Sequence, residues 1–193
     1  MLYVEEYKNR FDLPEDAIVI DTTSHSSNWS RGLSPFIIEG GPLYGGYYAK
    51  NVENAWQASK VYAPYDNNGQ PTEFYFRWAK NLWDSKRAVR YPMGKGAKPE
   101  YAYWDGKKYL YIDARKNIYI PIYSRGLIKT SAFKQLYELY KTEKKDIYLV
   151  DFDGYNHIKK GMTIRDVINC PDKTMGHAFI IYSLLIYKKD KLC

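Results

Sequence analysis

The stretch from Asn51 to Ala63, Asn-Val-Glu-Asn-Ala-Trp-Gln-Ala-Ser-Lys-Val-Tyr-Ala, narrows the possible folds more than any other part of the chain. Its spacing predicts a helix that is apolar almost all round. At about 100° per residue, Val52, Ala55, Trp56, Ser59 and Ala63 share one broad face, and Ala58, Val61 and Tyr62 cover much of the other side. Asn51 suits the N-cap, and Glu53 falls near the positive end of the helix dipole. One polar stripe remains: Glu53, Gln57 and Lys60, spaced by four and then three. A helix wrapped in apolar residues is normally buried, and a buried carboxylate and ammonium are costly unless paired or used. The stripe therefore either lines a cleft or ligand site, or faces water along an edge helix with no chemistry attached.

A chain of 193 residues, 45% hydrophobic, is long enough for one domain with a sizeable core, so a single domain over residues 1–193 is expected. No run approaches the ~18 consecutive apolar residues of a membrane span. The first residues, with Glu5, Glu6 and Arg10, lack a signal-peptide core, and a cytoplasmic protein is expected. Cys170 and Cys193 supply neither a disulfide framework nor a zinc-ligand spacing, so no metal or other cofactor is expected. The net charge of +7 favours an anionic partner, a nucleic acid or a phosphorylated small molecule. Against that, lysines gather in solvated-looking runs, Lys141 to Lys145, Lys159-Lys160 and Lys188 to Lys191.

Residues 1–16 read as a polar lead-in, and Ala17 to Asp21 as a buried strand ending in a carboxylate. The hydroxyl- and amide-rich run Thr22 to Asn28 can bond its own backbone and shape a loop. Ile37-Ile38 suggests a short strand, and Gly40 to Gly46 either lets backbone approach a ligand or simply turns. It carries no phosphate-loop lysine pattern. A loop over 63–72 leads to a second helix after Thr72, with Lys86, Arg87 and Arg90 as a basic cluster behind it. Asp105-Gly106 joins the two arms of an aromatic hairpin over 101–112. Helical spacing resumes from Asp113, with a kink or restart at Pro121. Ser131 can cap a helix faced by Phe133, Leu136, Tyr137 and Tyr140. Asp146 to Asp153 reads as a buried strand ending in Asp151 and Asp153, Thr163 to Ile168 as a short helix, and Met175 to Tyr187 as a core helix. His177 near its start is either a functional imidazole or a satisfied core or capping histidine. Helices outnumber strands without regular alternation, which predicts an α+β domain, mainly helical, with a small mixed or antiparallel sheet.

Leu33-Ser34-Pro35-Phe36, followed by Glu53-Asn-Ala-Trp-Gln57-Ala-Ser-Lys60-Val-Tyr62, resembles the signature of the NADAR superfamily. There a Leu-Ser-Asn-Phe segment precedes a helix of the form Ser-Glu-His-Tyr-x-Gln-Ala-x-Lys-Phe; Val52, Asn54 and Pro35 stand here where that family has Ser, His and Asn. Asp21-Thr-Thr-Ser24, Ala114-Arg-Lys116, Tyr119-Ile-Pro121 and Gly176-His-Ala178 extend a second similarity, to a poorly characterised group of bacterial and phage proteins. The NADAR resemblance implies an α+β N-glycosidase fold acting on ribosyl groups, such as ADP-ribose on a guanine base, with Glu53 and Lys60 in the active site. N-glycosidic cleavage passes through an oxocarbenium-like cation, which a carboxylate such as Glu53 can stabilise. Lys60 can pair with Glu53, bind a phosphate or act as a neutral amine. In the same expectation Trp56 walls the site, Gln57 lines it, Ser34 and Phe36 meet the substrate, and Arg90 or Arg115 clamps a pyrophosphate. Asp151, Asp153 and His177 are reserve acid/base or substrate-contact candidates, with a structural role as the leading reading of each. The leading expectation is thus a metal-independent N-glycosidase for a ribosylated nucleobase or nucleotide, free or within DNA or RNA. The alternative is a non-catalytic nucleic-acid or nucleotide-binding protein of phage or defence origin.

Overall fold

The computed structural model describes residues 1–187, so Lys188 to Lys191 and Cys193 lie outside the described residues. Strands β1 (Leu2–Glu6), β2 (Ile18–Asp21), β3 (Gly41–Pro42) and β4 (Tyr48–Ala49) precede helix α1 (Val52–Gln57) and strand β5 (Lys60–Val61). The hairpin β6 (Asp66–Asn67) and β7 (Gln70–Pro71) leads into α2 (Glu73–Asp84). A second hairpin, β8 (Tyr101–Trp104) and β9 (Lys107–Tyr109), leads into α3 (Tyr111–Ala114). A π-helical turn, Arg115–Tyr119, joins α3 to α4 (Ile120–Leu127); α5 (Ser131–Thr142), β10 (Ile147–Asp151), α6 (Ile164–Asn169) and α7 (Ala178–Tyr187) follow. The class is α+β, with small sheets. Contacts divide the chain into two compact units, residues 1–34 with 127 onward, and residues 35–126.

The first unit is built on a three-stranded sheet in the order β1-β10-β2. It is parallel throughout, with Leu2 and Ile18 both in register with Ile147, whereas the small sheets of the second unit are antiparallel as expected. β10 is buried at every position, as a strand covered on both faces must be, and its unbroken apolar run shows it. The expected lead-in is instead an edge strand, because Leu2 and Val4 alternate inward while Tyr3 stacks on Tyr148 at 4.7 Å. β2 is the other edge, so Val19 stays 41% exposed in a segment whose apolar run suggested full burial. α7 packs on β1 and β10 through a nearly all-apolar sequence. Thr130, not Ser131, caps α5 by accepting from the Phe133 amide at 3.0 Å.

In the second unit the helix expected over 51–63 stops at Gln57. Ser59 closes the turn, its hydroxyl donating to the Trp56 carbonyl at 2.7 Å, and the chain then enters β5. Lys60 and Val61 pair antiparallel with Ala102 and Tyr101 of β8, so sheet pairing overrides local helical spacing. Ile37-Ile38 lies in a turn rather than a strand. Gly40 is needed for close approach: a Cβ there would meet Ala49 Cβ at 2.7 Å and the Asn51 carbonyl oxygen at 2.8 Å. Asp105 and Gly106 take φ of 47° and 77°, a two-residue hairpin turn, but the second arm ends at Tyr109 and α3 begins two residues on. At Pro121 the helix restarts: α4 begins at Ile120, directly after the π-helical turn. Pro121 cannot donate to the residue four before it, and the preceding turn widens so that the Ile120 amide bonds the Arg115 carbonyl.

Candidate active site

The site is assembled at the start of the second unit by hydrogen bonds that fix the first turn of a short helix. Asn51 accepts from the Asn54 amide at 2.8 Å, the Val52 amide donates to the Ile38 carbonyl at 2.9 Å, and the Glu53 amide donates to the Pro35 carbonyl at 3.0 Å. The segment around Phe36 is thereby fastened to the first turn of α1. All of Val52 to Ala55 is buried, and so is Gln57, while Trp56 is half-buried. The polar stripe is consequently not a solvated face.

Its three side chains form a line. Gln57 Nε2 donates to Glu53 Oε1 at 2.8 Å, and Lys60 Nζ donates to Gln57 Oε1 at 2.8 Å. A carboxylate only accepts and an ammonium only donates, so the amide between them has a single satisfying orientation. Gln57 thus connects an anion to a cation although Lys60 lies beyond the helix. Lys60 Nζ also sits 4.8 Å from the Trp56 ring centroid, and Trp56 leans on Tyr119 at 5.3 Å. Burial lowers the Lys60 pKa to about 8; the Glu53 carboxylate opposes the shift and the Arg90 guanidinium adds to it. Three expected site residues, Glu53, Gln57 and Lys60, are therefore brought together, with Trp56 against them and the charge of Arg90 felt by Lys60.

Arg115 belongs to the same unit, only 2% exposed, its guanidinium 4.6 Å from the Tyr111 ring. The π-helical turn that places it is a feature often found at functional positions. Ser34 closes the first unit's opening segment; it is buried, and its amide donates to the Arg31 carbonyl at 3.1 Å.

Asp151, Asp153 and His177 belong to the first unit. His177 Nδ1 lies 3.0 Å from Asp151 Oδ2, and His177 Nε2 lies 2.7 Å from the Thr22 carbonyl oxygen. With Asp151 ionised, each ring nitrogen of His177 faces an acceptor, the carboxylate on one side and the Thr22 carbonyl on the other. Burial alone would raise the Asp151 pKa, but His177 and the amides of Ala178 and Asp153 outweigh it and the net shift is downward. Gly176 packs against the Asp151 carboxylate so closely that no side chain fits there. Asp153 accepts from Thr174 Oγ1 at 3.0 Å and lines a cleft of about 760 Å³ with Glu5, Glu6, Tyr155 and Lys159. Among the described residues, no group of three or more His, Cys, Asp or Glu side chains is arranged to hold a metal ion, and no helix is long and apolar enough to cross a membrane.

One residue that spacing did not single out completes the site. Asn54 is fully buried; its Nδ2 donates to the carbonyls of Ser85 and Arg87 at 3.1 and 2.9 Å, and its Oδ1 accepts from the Val89 amide at 2.9 Å. Asn51 Nδ2 adds a bond to the Ser85 carbonyl at 3.3 Å. An Asn on an otherwise apolar helix was the available signal, but its partners are 31 to 35 residues away in sequence.

A family model matches residues 3–167. The chain belongs to DUF6939, a family of unknown function. The part of this DUF6939 chain that matches starts within β1, contains the whole Glu53–Gln57–Lys60 line and Asp151, and ends before His177. No curated protein and no solved structure matches the chain.

Proposed function

We propose that this DUF6939 protein is an N-glycosidase of NADAR-like type that cleaves an N-ribosyl bond, such as ADP-ribose on a guanine base or a related ribosylated nucleotide. The observation that carries the proposal is the line Glu53–Gln57–Lys60, its first two members buried and Lys60 half-buried, in which one amide holds a carboxylate and an ammonium at fixed separation. Glu53 is assigned the oxocarbenium-like ribosyl cation, whose charge develops only as the bond to the base breaks. A buried, preoriented carboxylate acts more strongly on such a charge than one in water. Lys60, still mostly an ammonium at pH 7, is assigned the anionic part of the substrate, with Arg90 beside it, while Gln57 keeps Glu53 oriented. Trp56 supplies a wall for a base or sugar.

The test is direct incubation with ADP-ribosylated guanine oligonucleotides and N-ribosylated nucleotides, followed by mass spectrometry of the released base. Turnover is expected in the presence of EDTA. Release by Glu53→Gln at the wild-type rate would remove the assignment, and no release from any of the substrates would remove the activity.

A further inference from the structure

The positive charge is unevenly placed. Residues 35–126 hold 14 Lys and Arg against 8 Asp and Glu, whereas the rest of the chain holds 15 against 14. Within the second unit one connection stands out. Between α2 and β8, Ser85 to Pro99 contains Lys86, Arg87, Arg90, Lys95 and Lys98 and no carboxylate. Lys86, Arg87, Lys95 and Lys98 are exposed, and among the described residues none of these four forms an ion pair. The lysine-rich end of α5 differs, since Lys141 there lies 3.9 Å from Glu138.

The connection is nevertheless fixed at both ends. Asn51 and Asn54 hold the backbone of Ser85, Arg87 and Val89, while the Glu100 amide donates to the Val61 carbonyl at 2.8 Å. Its two roots are therefore α1, which carries Glu53, and β5, which carries Lys60. Tight turns bend it between, from Tyr91 to Gly94 and from Gly94 to Ala97, with Gly94 and Gly96 at φ of 93° and 90°. Holding Lys86, Arg87, Lys95 and Lys98 on one arch without ion-pair partners among the described residues costs free energy that a polyanion relieves. Cations distributed from Lys86 to Lys98 suit repeated phosphates rather than one pyrophosphate, which needs converging donors. Tyr91, 49% exposed and 5.4 Å from the Arg90 guanidinium, offers a base-stacking surface, which favours a nucleic acid over an acidic peptide.

We infer that the arch 85–99 is a nucleic-acid-binding surface that grips the phosphodiester backbone, so that the ribosylated base handled by Glu53 is carried on a strand. The substrate part of this inference rests on the N-glycosidase proposal; the binding part does not. The experiment is fluorescence anisotropy of the full chain with an unmodified single-stranded DNA of about 20 nucleotides and its RNA counterpart over a salt series. Two fourfold variants are compared: K86A/R87A/K95A/K98A, and a control, K134A/K144A/K145A/K160A, that removes the same charge from exposed positions of the first unit. The arch variant is expected to bind at least about tenfold more weakly and to flatten the slope of log affinity against log salt by about 3, with the control within about twofold of wild type. Binding to either strand supports the inference, and the tighter one identifies the preferred sugar. Equal losses in the two variants, an unchanged arch variant, or no binding by wild type to either strand would overturn it. Wild type that binds through the arch yet releases no base overturns the N-glycosidase proposal alone; a free ribosylated nucleotide turned over as fast as the strand-borne one overturns the strand-borne substrate alone.

Discussion

Lys60 is a cation in a place that disfavours cations, and its titration carries two consequences. Its folded pKa, about 8, lies below the ordinary 10.5, so between those values the unfolded chain binds a proton that the folded chain does not. Stability therefore rises with pH across that window, relative to a Lys60→Met variant, by on the order of 2 kcal/mol between pH 8 and 10. Paired denaturant titrations at the two pH values measure the difference, and a gap that stays constant would show that Lys60 is not desolvated. The second consequence concerns turnover. If the ammonium is the working form, kcat/KM declines above about pH 8, approaching tenfold per pH unit, with no such break in Lys60→Met. A rate that climbs through pH 8 would assign the neutral amine instead.

At the scale of elements, the short helix α1 is tied to the basic arch by Asn54, whose amide makes three bonds to backbone groups. Asn54→Ala leaves those groups partly unsatisfied, and a loss of about 2 to 4 kcal/mol is expected in denaturant unfolding. Hydrogen exchange at Val89 should quicken at the same time; a variant with wild-type stability and protection would contradict the clamp. The Asn51 cap was legible from spacing, because it depends on residues within one turn, whereas spacing left open whether Glu53 and Gln57 meet a cleft or water. The end of α1 was not legible. Lys60 and Val61 continue the helical pattern, and only β8, some 40 residues on, supplies the pairing that turns them into a strand. The same non-locality hid the role of Asn54 and the edge strand β1, whose alternation is visible only once β10 is known to lie beside it. The hairpin at Asp105-Gly106 was legible because its turn chemistry is local.

The whole molecule divides its buried charge between two units with different consequences. In the first, His157 is buried among the rings of Phe179 and Tyr182, and burial lowers its pKa; Asp151, paired with His177, also titrates below its ordinary value. For both groups the unfolded state takes up protons first as pH falls, so stability drops below about pH 6.5 through His157 and again below about 4 through Asp151. Thermal melts from pH 8 to 3 should show both declines, and His157→Phe should lack the first. The net positive charge falls mostly in the second unit, 14 Lys and Arg against 8 Asp and Glu, while the rest of the chain is near balance, and composition alone could not place it. What ties these scales together is the claim that the Glu53–Gln57–Lys60 line does chemistry and is not merely a satisfied polar network. Single-turnover release of base from an ADP-ribosylated guanine oligonucleotide, by wild type and by Glu53→Gln shown to melt within a few degrees of it, tests that claim most directly. The predicted result is a loss of at least about 100-fold in the variant; equal rates for the two proteins would contradict it.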